Sequence, residues 1–259
     1  MAKRKTALFL LVVAATAHAD WTIRSAGSEP AHADVAYRHV GEVVYRHVVL
    51  QNGARDHADV DLAIFSTISC ALRVIDNQIG ETLSNVMARE KCVAGVNGGY
   101  FNPGFEPIGL LITDGKIIAP LQRARLITGV LTASARGVQI LRAREFSRPE
   151  KVNAAVQCGP FLVDHYERIR GLDDSHFARR TFAAIGTNDR ALLGVCSEIS
   201  LAELAMILAT TRLAGDLKIQ RALNLDGGSS SSFWCARENS VLSIPEQKPV
   251  RDFVGVVWR

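Results

Sequence analysis

The chain has 259 residues, of which 48% are hydrophobic, 22% charged and 7% aromatic. That composition excludes a disordered or fibrous chain and is enough for one sizeable core. The formal charge of +4 rests on 30 Lys+Arg against 26 Asp+Glu, but three of those cations, Lys3, Arg4 and Lys5, lie in the first nineteen residues. Without that segment 27 cations face 26 acids, a balance of +1, so nothing in the charge points to nucleic acid.

The N-terminus "MAKRKTALFLLVVAATAHAD" has a basic start, a short apolar run and Ala17-His18-Ala19, an A-x-A pattern. It reads as a secretory signal peptide, residues 1–19, cut after Ala19. The run from Thr6 to Ala17 is too short for a membrane anchor, which needs about 20 apolar residues. The expected product is an exported protein, periplasmic or secreted, with no stable membrane anchor, spanning residues 20–259 as one domain. Export permits disulfides among Cys70, Cys92, Cys158, Cys196 and Cys235. Cys70 and Cys92 each begin an apolar β-like run and are the expected pair. No C-x-x-C spacing suggests structural zinc.

Short β-like runs dominate the first half: "DVAYRHV" (34–40), "EVVYRHVVLQ" (42–51), "DVDLAIFS" (59–66), "ALRVIDN" (71–77), "CVAGVN" (92–97) and "GLLITDGK" (109–116). Asn52-Gly53 and Asp114-Gly115 are turn signals between them. A helix is expected between Glu81 and Lys91. The clearest helix is "SLAELAMILATTRLAG" (200–215). Ser200 and Glu203 form a capping box, Leu201, Leu204, Ala205 and Leu208 share a face, and Gly215 is the expected stop. Arg179 and Arg180 precede an apolar strand, with a hairpin turn at Asn188-Asp189. The strand "RALNL" (221–225) then runs into Asp226. Strands with few helices predict an α+β fold, a single mixed-sheet domain rich in short strands with a few packed helices.

Two stretches share one pattern, an apolar strand, a polar residue and two glycines: "GVNGGYF" with Asn97, and "ALNLDGGSSSS" with Asp226. Small residues in series can expose several backbone N–H groups to an anion. An acid at the rim of such a nest makes sense if it does chemistry on an atom beside the anion. The plainer reading of each is a capped tight turn. Tyr100 and Phe101 offer flat faces to a sugar ring, or else belong to the core. An arginine holds phosphate through a fork of donors. Of the pair, Arg179 is expected to be a solvated surface charge.

Taken in order, "NGGYF" (97–101), "PIGLLITDGK" (107–116), "CGPFLV" (158–163), "RTFAAIG" (180–186) and "ALNLDGGSSS" (222–231) resemble the phosphodiester glycosidase domain family, that of the uncovering enzyme and its bacterial relatives. Ser229 stands where the family often has a third glycine, and Cys158 where a small residue such as Ser is common. The resemblance implies hydrolysis of a sugar-1-phosphodiester, releasing the sugar and leaving a phosphomonoester. It places Asn97, Gly98, Gly99, Arg180, Asp226, Gly227 and Gly228 in the active site.

Glycoside cleavage usually takes two carboxyl groups. A phosphate monoester is a weakly basic leaving group and needs less protonation, so one carboxylate and one arginine suffice. Asp226 and Arg180 are the catalytic candidates, with Asp226 expected to be held ionised by nearby N–H donors. Asn97, Gly98, Gly99, Tyr100, Gly227, Gly228 and Ser229 are the substrate-binding candidates. Glu106 and Asp164 are open alternatives for a second carboxyl. No metal ligand is assigned and no cofactor required; a single Ca²⁺ is the one ion the reading leaves room for. The expected partner is a sugar-phosphate or envelope glycan. Two alternatives stay open: a metal-dependent phosphodiesterase acting at phosphorus, and a non-catalytic binder of envelope glycans. A serine hydrolase on Ser229–Ser232 lacks a G-x-S-x-G elbow.

Overall fold

A computed structural model describes residues 21–31, 43–53, 56–147, 152–237 and 240–259. The expected signal peptide and the strand expected at 34–40 lie outside them. In chain order the elements are β1 (Thr22–Pro30), β2 (Val43–Asn52), β3 (Asp56–Ser66), β4 (Cys70–Asp76), α1 (Leu83–Arg89), β5 (Ala94–Asn97), β6 (Leu111–Thr113), β7 (Lys116–Ala119), β8 (Gly129–Ser134) and β9 (Gly137–Arg142). There follow β10 (Val152–Cys158), β11 (Phe161–Asp164), β12 (Glu167–Arg168), β13 (Ala178–Gly186), β14 (Arg190–Ile199), α2 (Leu201–Thr210), β15 (Ile219–Asn224), β16 (Phe233–Arg237), β17 (Ser240–Ile244) and β18 (Asp252–Trp258).

These strands make three sheets. One has eight strands in the order β1-β2-β3-β14-β13-β15-β11-β12. The two five-stranded sheets run β7-β6-β10-β8-β9 and β17-β16-β5-β18-β4. The sheet-rich α+β expectation holds in part. The mixed sheet is replaced by antiparallel pairing between all the described strands, and two helices are present among the described residues. Each helix does link two strands that run the same way. In both cases an antiparallel strand slots between them. β18 pairs with both β4 and β5, on either side of α1. β13 pairs with both β14 and β15, on either side of α2.

Tight turns do much of the rest. Asp114-Gly115 joins β6 to β7 and Asn188-Asp189 joins β13 to β14, each with two consecutive positive φ angles. Such turns match the twist of the strands they connect. Ser200 caps α2 reciprocally with Glu203 as the sequence predicts. The helix stops at Thr210, five residues before the expected Gly215, because the chain turns extended at Thr211 and sends Leu213, Ala214 and Leu217 back into the core. Gly215, φ +70, serves the turn beyond.

The principal core lies where the sheets face one another, with Phe65, Leu72, Leu131, Phe161, Leu193, Leu223, Phe233 and Val254 drawn from all three. Helix α2 covers the other face of the large sheet through Leu204, Ile207 and Leu208. The end of strand β3 is buried on both sides, Leu62 and Ile64 toward the helix and Ala63 and Phe65 toward the principal core, which is why residues 62–65 read as a continuous apolar run. Helix α1 covers the outer face of the β16-β5-β18-β4 sheet. It sits close because Gly95 and Gly255 are paired across β5 and β18, and a Cβ on Gly95 would stand 2.1 Å from Met87 Sδ.

The Cys70–Cys92 disulfide is not formed. Cys70 faces the principal core, whereas Cys92 packs with Met87 under α1 on the opposite face. Two strand spacings, β4 to β18 to β5, also separate them, near 10 Å against a limit of about 7 Å between bridged Cα atoms. Burial raises the Cys92 thiol to about 12. No helix among the described residues is long and apolar enough to cross a membrane.

Candidate active site

The three sheets bring five strand ends together. The C-terminal ends of β5, β10 and β15 meet the N-terminal ends of β13 and β18. Asn97, which ends β5, is fully buried and ties them. Its Nδ2 donates to the backbone oxygen of Asp226 at 2.7 Å. Its Oδ1 accepts from the Thr181 hydroxyl at 2.7 Å and the Ser232 N–H at 3.0 Å. A buried amide with both ends satisfied is a rigid strut, so Asn97 fixes the loop that carries Asp226. The two strand–polar–Gly-Gly stretches of the sequence therefore meet directly: Asp226 N–H donates to Gly98 O at 3.0 Å.

Asp226 is half-buried. Burial raises its carboxyl above the ordinary aspartate range; Ser230, the Gly227 N–H and Lys248 pull the other way. The expected ionising nest is thus overturned. Among the described residues one backbone N–H, that of Gly227 at 2.9 Å, bonds the carboxylate, and desolvation outweighs it. Gly228, with φ +61, opens a single 3₁₀ turn over Gly228–Ser230, whose Ser230 and Ser231 N–H groups fold back onto Gly227 and Gly228 carbonyls. Of the expected anion nest, the N–H groups of Gly228 and Ser229 begin that turn and have no acceptor within it. The following serines are not a loose polar edge: Ser230, Ser231 and Ser232 are fully buried.

Arg180 reaches the same spot from β13. It is 7% exposed, its Nε donates to Ile199 O at 3.0 Å and its Nη2 to His176 O at 2.6 Å. Its Nη1 lies 3.9 Å from where a Cβ on Gly227 would stand. Among the described residues no carboxylate comes within salt-bridge distance of it, and burial lowers its pKa. A guanidinium anchored on two carbonyls and short of an acid is preorganised for an anion. Arg179 departs from the expected surface role: its Nη2 donates to Ser231 O at 2.7 Å and clamps the serine loop.

Tyr100 is half-buried, donates its hydroxyl to Gly159 O at 2.7 Å and receives Asn224 Nδ2 at 3.1 Å. Burial raises its pKa strongly. Phe101 stacks edge-on with Phe105 at 5.3 Å, and Lys248 Nζ stands 5.3 Å from the Phe101 ring centre. The candidate second carboxyls lie elsewhere. Glu106 is exposed in its own turn, bonded to Asn102. Asp164 is held below its ordinary range, against its own burial, by Arg142 at 2.7 Å and Arg221 at 3.0 Å. Among the described residues no group of three or more His, Cys, Asp or Glu is arranged to hold a metal ion.

Two residues at the site went unread in the sequence. Lys248 is exposed and its charge acts on Asp226. Asp252 opens β18 and is 1% exposed; its Oδ1 accepts from Gly99 N–H at 2.9 Å and its backbone oxygen from Gly98 N–H at 2.9 Å. Burial raises its carboxyl to about 6, and Asp226 adds to the rise. The signal for Asp252 was present in "RDFVGVV", an acid set directly against an apolar strand as Asp226 is.

No curated protein matches the chain at significant similarity. The fold is that of the zebrafish N-acetylglucosamine-1-phosphodiester alpha-N-acetylglucosaminidase catalytic domain, solved in a form auto-inhibited by its pro-peptide. The TM-score is 0.64 at 15% identity, covering 90% of this chain and 88% of that one. A hypothetical protein from Synechocystis is also similar, with TM-score 0.58 and 15% identity over 86% of this chain and 63% of that one. Identity that low speaks for the fold alone. The sequence profile of the phosphodiester glycosidase family, however, matches residues 90–257. That span holds Asn97, Arg180, Asp226 and Asp252, every strand end that builds the site, and on it the chain belongs to the phosphodiester glycosidase family.

Proposed function

We propose that the chain is an exported hydrolase that cleaves a sugar-1-phosphodiester at the glycosidic C1–O bond, releasing the sugar and leaving a phosphomonoester. The observation that carries this reading is the meeting of a half-buried carboxyl, Asp226, with an anchored arginine, Arg180, that has no acid partner among the described residues. As the C1–O bond breaks, its electron pair leaves with the phosphate oxygen. Arg180 takes up that charge, supported by the Gly228 and Ser229 N–H groups and by Lys248. The sugar is left with oxocarbenium character, which the Asp226 carboxylate stabilises across a short, partly dry gap. Water adds to C1 and gives its proton to Asp226, whose burial makes it the stronger base. Tyr100 supports the sugar face. The basic start and short apolar run at residues 1–19 support export, which makes an envelope or secreted glycan phosphate the fitting substrate.

The test is hydrolysis of a panel of UDP-sugars and other sugar-1-phosphodiesters by the purified chain in ¹⁸O-labelled water. The expected result is label in the released sugar and none in the phosphomonoester. Label in the phosphate would place attack at phosphorus and make the chain a phosphodiesterase. Binding without turnover would leave a glycan-binding protein. Asp226→Asn is expected to lower kcat by about 10²–10⁴ while the protein stays folded, the range for a lost general base.

A further inference from the structure

Gly98 and Gly99 read in the sequence as room for a ligand, but the structure fills that room from within. A Cβ on Gly98 would stand 1.9 Å from Asp252 Oδ1. One on Gly99 would press on Val156 at 2.9 Å. The first glycine exists to admit an acid. Gly98 then joins two acids back to back, its N–H bonded to Asp252 O and its carbonyl to Asp226 N–H. The other oxygen of Asp252, Oδ2, is buried with no hydrogen-bond partner among the described residues. The neighbouring Arg251 gives its guanidinium to Asp76 instead. An unpaired buried carboxylate oxygen is costly, and a proton removes its charge; an asparagine would keep the Oδ1 contact and carry no charge at any pH. What asparagine lacks is a proton to lose.

Resting on the phosphodiester glycosidase reading, we propose that Asp252 is a positioning acid of this site: protonated, it leaves Asp226 the single anion beside the phosphodiester, and ionised, it adds a second negative charge that repels the substrate and shuts turnover down. The groups that face it are few. Gly99 N–H comes from the end of β5, Asp226 from the end of β15, the Cys158 thiol from β10 and Arg251 from its own strand. Burial and Asp226 favour the protonated form; Gly99 and Arg251 oppose it and do not prevail, leaving a transition at about 6. A bound phosphodiester anion favours the proton further, so the transition moves upward in the complex.

The experiment is the pH dependence of kcat and kcat/KM for a sugar-1-phosphodiester, in wild type and Asp252→Asn. In wild type kcat/KM is expected to fall by up to about 50-fold from pH 6 to pH 8, and kcat to fall at higher pH than kcat/KM. In the variant the alkaline limb is expected to disappear, the pH 8 to pH 6 ratio rising toward one. A variant that keeps the wild-type limb, or one that is folded yet inactive at every pH, overturns the proposal. A second readout needs no substrate: ¹³C NMR of carboxyl-labelled aspartates. One resonance titrating near pH 6, absent from Asp252→Asn and coupled to a second aspartate, supports the proton on Asp252 independently of turnover; if no phosphodiester is then turned over, it is the functional reading that fails, and the gating of turnover with it. No such resonance overturns it whatever the enzyme hydrolyses.

Discussion

Replacing Asp252 by asparagine separates the packing of this side chain from its charge, and stability reads the difference. In the folded chain the carboxyl is fully enclosed and titrates at about 6, against an ordinary aspartate near pH 4 in the unfolded chain. Between those values the native state holds a proton that the unfolded state has lost. Stability therefore falls as pH rises through that window and levels off above it. At 1.36 kcal/mol per pH unit, a window of roughly two units is worth about 3 kcal/mol. Asp226, also raised, adds to the slope in the same sense in both proteins, so the comparison reads Asp252 together with its coupling to Asp226. Asparagine keeps the Gly99 N–H contact and never ionises, so the variant is expected to gain about 2 kcal/mol of that on wild type between pH 4 and pH 6.5. For a chain of this size that is about 4–8 °C in Tm. Urea unfolding of both proteins from pH 4 to pH 8 measures it. A stability gap that does not change with pH would show that the buried carboxyl carries no abnormal proton.

Three further outcomes follow from named contacts. Arg180→Ala is expected to cost about 10–100-fold in kcat/KM, the worth of a charged hydrogen bond of about 1.5–3 kcal/mol, and Arg180→Lys to recover little, since the Ile199 and His176 carbonyls are spaced for a guanidinium; steady-state kinetics decides it. Ser200→Ala removes the hydroxyl half of the α2 capping box, leaving the backbone N–H to Glu203, and is expected to cost about 1 kcal/mol in urea unfolding with KM unchanged. Gly98→Ala forces a Cβ onto Asp252 Oδ1 and is expected to cost about 1–3 kcal/mol, much of it recovered in a double variant with Asp252→Ala; additive losses in the double-variant cycle would mean that the glycine answers to something else.

Local chemistry was legible where it is settled within a few residues. Alternation and turn pairs mark β2, β3, β4 and the hairpins at Asp114-Gly115 and Asn188-Asp189, and Ser200–Glu203 marks the start of α2. Contacts across the chain were legible only through the family pattern: Asn97 and Asp226, 129 residues apart, share a hydrogen bond that neither stretch announces alone. What escaped depends on strand insertion. β18, the last strand, enters between β4 and β5, turns a helix-linked parallel arrangement into an antiparallel one and carries Asp252 to the site. It also parts the strands that begin at or beside Cys70 and Cys92. That one long-range event accounts for the absent disulfide and the unseen acid, and with the insertion of β13 between β14 and β15 for the misjudged sheet type.

The glycines show how far a local reading goes. Gly-Gly after a strand signals close approach of something to the backbone, and the sequence has no means of naming it. At Gly228 the reason is conformational, a positive φ that opens the turn beside Asp226. At Gly98 it is a carboxyl from 154 positions further along the chain. The two Gly-Gly stretches look alike in sequence and differ in what they do: the second shapes the loop that carries Asp226, and the first makes room for Asp252 behind it. Because both acids hang on the backbone of Gly98, a shift of one moves the other. The distance between their charges is therefore set by a residue with no side chain of its own.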